Sequence, residues 1–136
     1  MITREDLEGF LFRIAADVEE VDDGMWVTRA PEQGAIPVVV HFSPPVVLLR
    51  LKVLDLPAEG DGARLASFYR KLLELNATDI VHGSYGIDGN DVLLSDALEL
   101  ETLDFHELQS SYESMLMAAS THTQSLVELV PVPQEN

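Results

Sequence analysis

The chain has 136 residues, no cysteine, and 24 acidic against eight basic side chains, for a net charge of −16. The missing cysteine excludes a disulfide framework and any thiolate metal site. A field of this sign repels nucleic acid and anionic lipid, whose binding relies on Lys and Arg displacing counterions.

At this length one core is expected, burying roughly two-thirds of the surface that the unfolded chain exposes. No apolar run approaches the ~20 residues needed to span a bilayer. The opening Met1-Ile2-Thr3-Arg4-Glu5-Asp6 lacks the basic-then-apolar order of a signal peptide. The expectation is a cytoplasmic protein with one domain over residues 1–130 and a flexible tail over 131–136. The charge is uneven: Lys71 is the last basic residue, and twelve acids follow it.

Thr3 and Asp6 stand at capping-box spacing, and Ile2 and Leu7 at staple spacing. Leu7, Phe10, Leu11, Ile14 and Val18 continue at helical spacing, which predicts a first helix. Asp23-Gly24 marks a turn. An extended piece around Val18 to Val21 leads to a strand at Met25-Trp26-Val27-Thr28, and further strands are predicted at Val38–Phe42 and Val46–Leu54. In the last of these, alternation puts Val47, Leu49, Leu51 and Val53 on one face and Leu48, Arg50, Lys52 and Leu54 on the other. Arg50 and Lys52 would be costly in a dry core, so that second face reads as a surface rim.

Pro57 to Gly62 reads as a linker into a second helix with Leu65, Phe68, Tyr69, Leu72 and Leu73 as its apolar face. Asn76 suits a left-handed cap there. A hairpin over Ile80–Ile87 and Val92–Leu100 turns at Asp88-Gly89-Asn90-Asp91. The third helix opens with Asp104 and Glu107 at capping-box spacing. Leu108, Tyr112, Met115, Leu116, Ala119 and Leu126 line its apolar side. Its other faces carry Ser110, Ser111, Ser114, Ser120, Thr121, Thr123, Gln124 and Ser125, a neutral surface that suggests packing against something.

Fragments that look like chemical motifs fail on their neighbours. Gly83-Ser84-Tyr85-Gly86 has His82 where a nucleophile elbow needs glycine, and it sits in a hairpin rather than a strand-to-helix turn. Gly60-Asp61-Gly62 lacks the lysine of a phosphate loop, and Asp61 would repel a phosphate. Asp88-Gly89-Asn90-Asp91 has Leu93 where an EF-hand needs glycine. His41, His82, His106 and His122 form no HExxH and no close pair. The chain is therefore read as non-enzymatic, with no catalytic residue, metal ligand or cofactor.

The order α-β-β-β-α-β-β-α, an α+β arrangement with an antiparallel sheet flanked by helices, resembles the type III secretion chaperone-like fold. Within that fold the chain is similar to the YbjN and Tir-chaperone (CesT-like) group. The similarity rests on Tyr69-Arg70-Lys71-Leu72-Leu73-Glu74-Leu75-Asn76, on His82-Gly83-Ser84-Tyr85-Gly86-Ile87-Asp88, and on Leu93-Leu94, Leu98-Glu99-Leu100 and the Leu103-Asp104 helix start. It covers nearly the whole chain by element order and about residues 65–127 by local pattern.

The resemblance implies a small acidic homodimer that binds an extended or amphipathic segment of another polypeptide, such as a secreted effector. It also leaves open a YbjN-like sensory or stress regulator that responds to a small ligand or signalling partner. It implies a partner groove with Phe10, Trp26, Phe42, Leu48 and Leu54, to which the face reasoning adds Arg50 and Lys52. Dimer contacts are implied at Tyr69, Leu72 and Tyr85.

Overall fold

The computed structural model describes residues 1–56 and 62–130. Most of the Pro57–Gly62 linker and the whole 131–136 tail expected from the sequence lie outside the described residues. The elements run α1 (Arg4–Ile14), β1 (Asp17–Asp22), β2 (Met25–Arg29), a 3-10 turn at Pro31–Gln33, β3 (Val38–Ser43) and β4 (Val46–Asp55). They continue with α2 (Gly62–Thr78), β5 (Ser84–Asp88), β6 (Asp91–Glu99) and α3 (Phe105–Glu128). The extended piece expected around Val18–Val21 is strand β1, so four strands rather than three precede α2.

Local signals set the helix starts. The Thr3 hydroxyl accepts from the Asp6 N–H at 3.1 Å and the Asp6 carboxylate accepts from the Thr3 N–H at 2.9 Å, a reciprocal box that satisfies two otherwise orphaned donors. At α3 the Asp104 carboxylate accepts from the Glu107 N–H at 2.7 Å. The second helix departs from the sequence reading. It continues to Thr78, so Asn76 is not its cap. The Asn76 amide instead reaches β5, accepting from the Tyr85 N–H at 2.7 Å and donating to the Tyr85 carbonyl at 3.2 Å.

The six strands form one antiparallel sheet in the order β1-β2-β3-β4-β6-β5. Register puts Thr28, Val38, Leu51, Leu94 and Tyr85 in one row across it, with Trp26, Val40 and Leu49 beside them. All of these are buried. They meet Leu7 and Leu11 of α1, Phe68, Leu72 and Leu75 of α2, and Leu108, Tyr112, Met115 and Leu116 of α3 in a common core.

Polar pairs locate the three helices on this same face. The Trp26 indole N–H donates to Glu8 of α1 at 2.9 Å, the Thr28 and Tyr112 hydroxyls lie 2.8 Å apart, and the Asn76 amide holds the Tyr85 backbone. Helices therefore cover one side of the sheet. Among the described residues the opposite side is built by strands alone.

One irregularity changes a face assignment. β4 pairs Lys52 with Leu93 but Leu54 with Val92, leaving a bulge at Val53. A single extra residue inverts the alternation beyond it, so Leu54 falls on the helix-covered side opposite buried Val92 and not beside Lys52. Gly83 is required where it stands. Its φ is +86°, and a Cβ there would lie 2.6 Å from the Ser95 carbonyl oxygen, so any side chain would drive β5 off β6.

Candidate interaction surfaces

The uncovered side of the sheet is only partly polar. Register aligns Glu19, Val27, Val39, Arg50, Ser95 and Ser84 in one row across all six strands, and Met25, His41, Leu48 and Ala97 in the next. Met25, Val27, Val39, His41, Leu48 and Leu93 are half-buried by their neighbours, and Arg50, Lys52, Ser84 and Ala97 are exposed. Two open hollows meet at Arg50. One, of about 140 Å³, is lined by Met25, Val39, His41 and Leu48; the other, of about 380 Å³, is lined by Leu48, Gly83, Ser84, Ser95, Asp96 and Ala97.

The cations on this side differ in state. The Lys52 ammonium lies 2.7 Å from Asp55 and 3.1 Å from Asp91. Hydrogen bonds from Asp55 first and Asp91 second push its pKa up, so it stays charged. Arg29 pairs with Asp17. Arg50 has neither a carboxylate nor a hydrogen-bond partner among the described residues.

Both free edges of the sheet are partly blocked against a pairing strand. β1 exposes Asp17, Glu19, Glu20 and Asp22 within its six residues, a charge density that disfavours edge pairing. On β5 the Tyr85 N–H and C=O are occupied by Asn76, whose amide acts as a one-residue stand-in for a neighbouring strand.

The residues expected in a partner groove do not converge. Leu48, Arg50 and Lys52 share the uncovered side. Trp26 is fully buried on the helix side, beneath the Arg4 guanidinium 5.4 Å from its ring centroid. Phe42 and Leu54 also lie on the helix side, packed against the core. Phe10 meets Phe105 edge-on at 5.8 Å between α1 and α3.

Of the dimer candidates, Tyr85 and Leu72 are buried within the chain and Tyr69 is half-buried. Close to them, Leu73, Val81 and Ile87 are exposed by 68, 83 and 46%. Leu73 was legible as part of the apolar face of α2, but Met25, Val39 and His41 were not singled out. Their signal was the alternation of β2 and β3, which becomes a surface only when the sheet's uncovered side is known.

Part of the neutral surface of α3 is engaged within the chain, while Ser110, Thr121, Gln124 and Ser125 stay exposed. Ser111 is buried and donates to Asp96 at 2.6 Å, while Ser120 and Thr123 donate to the carbonyls of Leu116 and Ala119 one turn earlier. His122, also buried, accepts or donates through Nδ1 to the Tyr85 hydroxyl at 2.8 Å, and its Nε2 faces Asp79 at 3.6 Å. Among the described residues no helix is long and apolar enough to cross a membrane, and no three His, Cys, Asp or Glu side chains gather as metal ligands.

Solved structures share this architecture. The heterodimeric ExoU–SpcU complex from the type III secretion system of Pseudomonas aeruginosa contains a chain that matches 91% of this one over 97% of its own length, with TM-score 0.66 and 14% identity. YbjN from E. coli matches over 91% of this chain and 93% of its own, with TM-score 0.62 and 12% identity. The HopA1–SchA chaperone–effector complex matches over 91% and 99%, with TM-score 0.60 and 10% identity. No curated protein matches the sequence. The CesT_Tir_1 family model matches residues 2–131, nearly the whole of the described fold, and the chain belongs to that family.

Proposed function

We propose that this protein is a non-enzymatic chaperone or adaptor that holds a segment of another polypeptide, acting in the cytoplasm as a homodimer. The observation that carries the reading is the strand-built side of the sheet. There Met25, Val27, Val39, Leu48 and Leu93 remain half-exposed around an arginine without a partner among the described residues. Such a surface offers apolar contact and a charged anchor to an extended chain without relying on a free strand edge. Membership of the CesT_Tir_1 family and likeness to chains solved in complexes with effectors support the same reading. The hollows are open grooves, which suits an extended segment better than an enclosed small ligand.

For the dimer we favour a contact through α2 and β5. Leu73 and Ile87 would be covered there, and Tyr69, Leu72 and Tyr85 would support the contact from beneath.

Affinity capture with the full chain from its native host, followed by mass spectrometry, tests the binding claim. A reproducible polypeptide partner is expected. No partner at micromolar concentration would refute it. The dimer is tested by sedimentation at tens of micromolar: a 15.0 kDa species would refute it, and L73D is expected to convert a dimer to that species. A saturable small-molecule ligand with no polypeptide partner would instead favour a YbjN-like regulator.

A further inference from the structure

We infer that Arg50 is a carboxylate anchor, and that the polypeptide segment taken by the strand-built face carries a single Asp or Glu two residues from an apolar side chain. This inference rests on the reading that this face receives a polypeptide. Three observations lead to it.

The first is the isolation of Arg50 in a chain with three acids for every base. Arg4, Arg29, Lys52 and Arg70 each hold a carboxylate, Arg13 lies over the Phe105 ring, and half-buried Lys71 on α2 holds none among the described residues. Arg50, on the uncovered side of the sheet, is exposed and holds none among the described residues. Its cross-strand neighbours are Val39 and Ser95; Asp96 borders the same hollow, but its carboxylate is engaged, accepting from the Ser111 hydroxyl and the Ala97 N–H.

The second is the row Arg50, Ser95, Ser84 over three adjacent strands. Strands lie about 4.8 Å apart, so a guanidinium and two hydroxyls line about 10 Å of one groove. Neither hydroxyl has a side-chain hydrogen bond among the described residues. A planar fork with adjacent hydroxyl donors matches a carboxylate.

The third is the apolar hollow of Met25, Val39, His41 and Leu48 on the other flank of Arg50. In an extended segment, side chains two residues apart point the same way about 6.6 Å apart. That spacing seats a carboxylate on Arg50 and a leucine-sized side chain in the hollow.

Charge sets the remaining specification. The net charge of −16 repels acidic segments as wholes, so the acid must be isolated within a neutral or basic stretch. A phosphate dianion would meet the same repulsion with one arginine to offset it.

The test uses the full chain, 15N-labelled, titrated with acetylated and amidated peptides of sequence Gly-Ser-Leu-Thr-Glu-Thr-Ser-Gly and versions with the Glu replaced by Gln or Lys. The Glu peptide is expected to shift the amides of Met25, His41, Leu48, Arg50 and Ser95. It should bind roughly tenfold tighter than the Gln peptide, the size expected for one charge-assisted contact, with the advantage shrinking at high salt. R50Q, at an exposed position, should keep the fold and its spectrum while abolishing the Glu-over-Gln preference, and R50E should favour the Lys peptide.

Equal affinity for Glu and Gln peptides on this face, or an unchanged preference in R50Q, would overturn the anchor and leave the polypeptide reading standing. A face silent to all three peptides would overturn both. Shifts of these amides with protein concentration alone would overturn the anchor in favour of a second copy of the chain on this face.

Discussion

Replacing Tyr85 with phenylalanine removes one oxygen from the junction of β5 and α3. Tyr85 and His122 are each 6% exposed, and the phenol oxygen lies 2.8 Å from His122 Nδ1. Burial pushes the phenol pKa up to about 12, so the hydroxyl remains a proton donor at ordinary pH. Where the phenol O–H donates, His122 Nδ1 accepts, and Nε2 faces Asp79, 3.6 Å away.

In Y85F the ring still fills its place, so little apolar burial is lost and no large cavity forms. The Nδ1 is left without a partner in a site closed to water. An orphaned buried acceptor costs about 1–3 kcal/mol. With a urea dependence of about 2 kcal/mol per molar for a chain of this size, the unfolding midpoint should fall by about 0.5–1.5 M. Measurements belong at one protomer concentration, because any dimer would add its own contribution. The double-mutant cycle with H122F should return a coupling of about 1 kcal/mol. A midpoint unchanged within about 0.2 M, or a coupling near zero, would show that the pair does not tie the hairpin to α3.

Asn76 should be as sensitive. N76A frees the Tyr85 N–H and C=O on the outer edge of β5, and hydrogen exchange at the Tyr85 amide should accelerate by roughly tenfold or more, with a stability loss of about 1–3 kcal/mol; unaltered exchange would contradict the clamp. T3A removes the α1 cap and should cost about 0.5–2 kcal/mol in urea unfolding. Asp6 is held below the usual carboxylate value by the backbone and then the hydroxyl hydrogen bond of Thr3. Its contribution is complete above about pH 4 and is lost as pH falls through the depressed value. T3A keeps the larger backbone bond and should shrink the acid limb of a circular-dichroism titration only in part, whereas D6N should flatten it. In alkali the sign reverses. The raised pKa values of Tyr85 and Tyr112, both from burial, mean that stability is complete below about pH 10 and declines as pH climbs through the folded-state values. Y85F should blunt that decline in a pH series of urea melts.

Much of this protein was written locally in its sequence. Thr3 with Asp6, and Asp104 with Glu107, mark helix starts because a cap is settled by residues three apart. The β-branched run of Val38–Phe42 and the alternation of Val46–Leu54 mark strands because such patterns fit a pleated, partly buried surface. The element order these produce was enough to bring the chaperone-like family into view.

What the chain could not announce depends on partners far away in sequence. Val53 bulges because of how β4 meets β6, and that carries Leu54 to the covered side. Trp26, an attractive surface anchor in isolation, disappears under α1. Asn76, a plausible cap by type, serves β5 instead. On α3, Ser111 is accounted for only when it finds Asp96, and His122 only when it finds Tyr85. The same holds for Arg50: composition could report a scarce cation, but only the stacking of three helices on one side of the sheet left it without an acid on the other. Capping and periodicity are short-range and survive in a linear reading, whereas burial and pairing are decided by which faces the folded chain brings together.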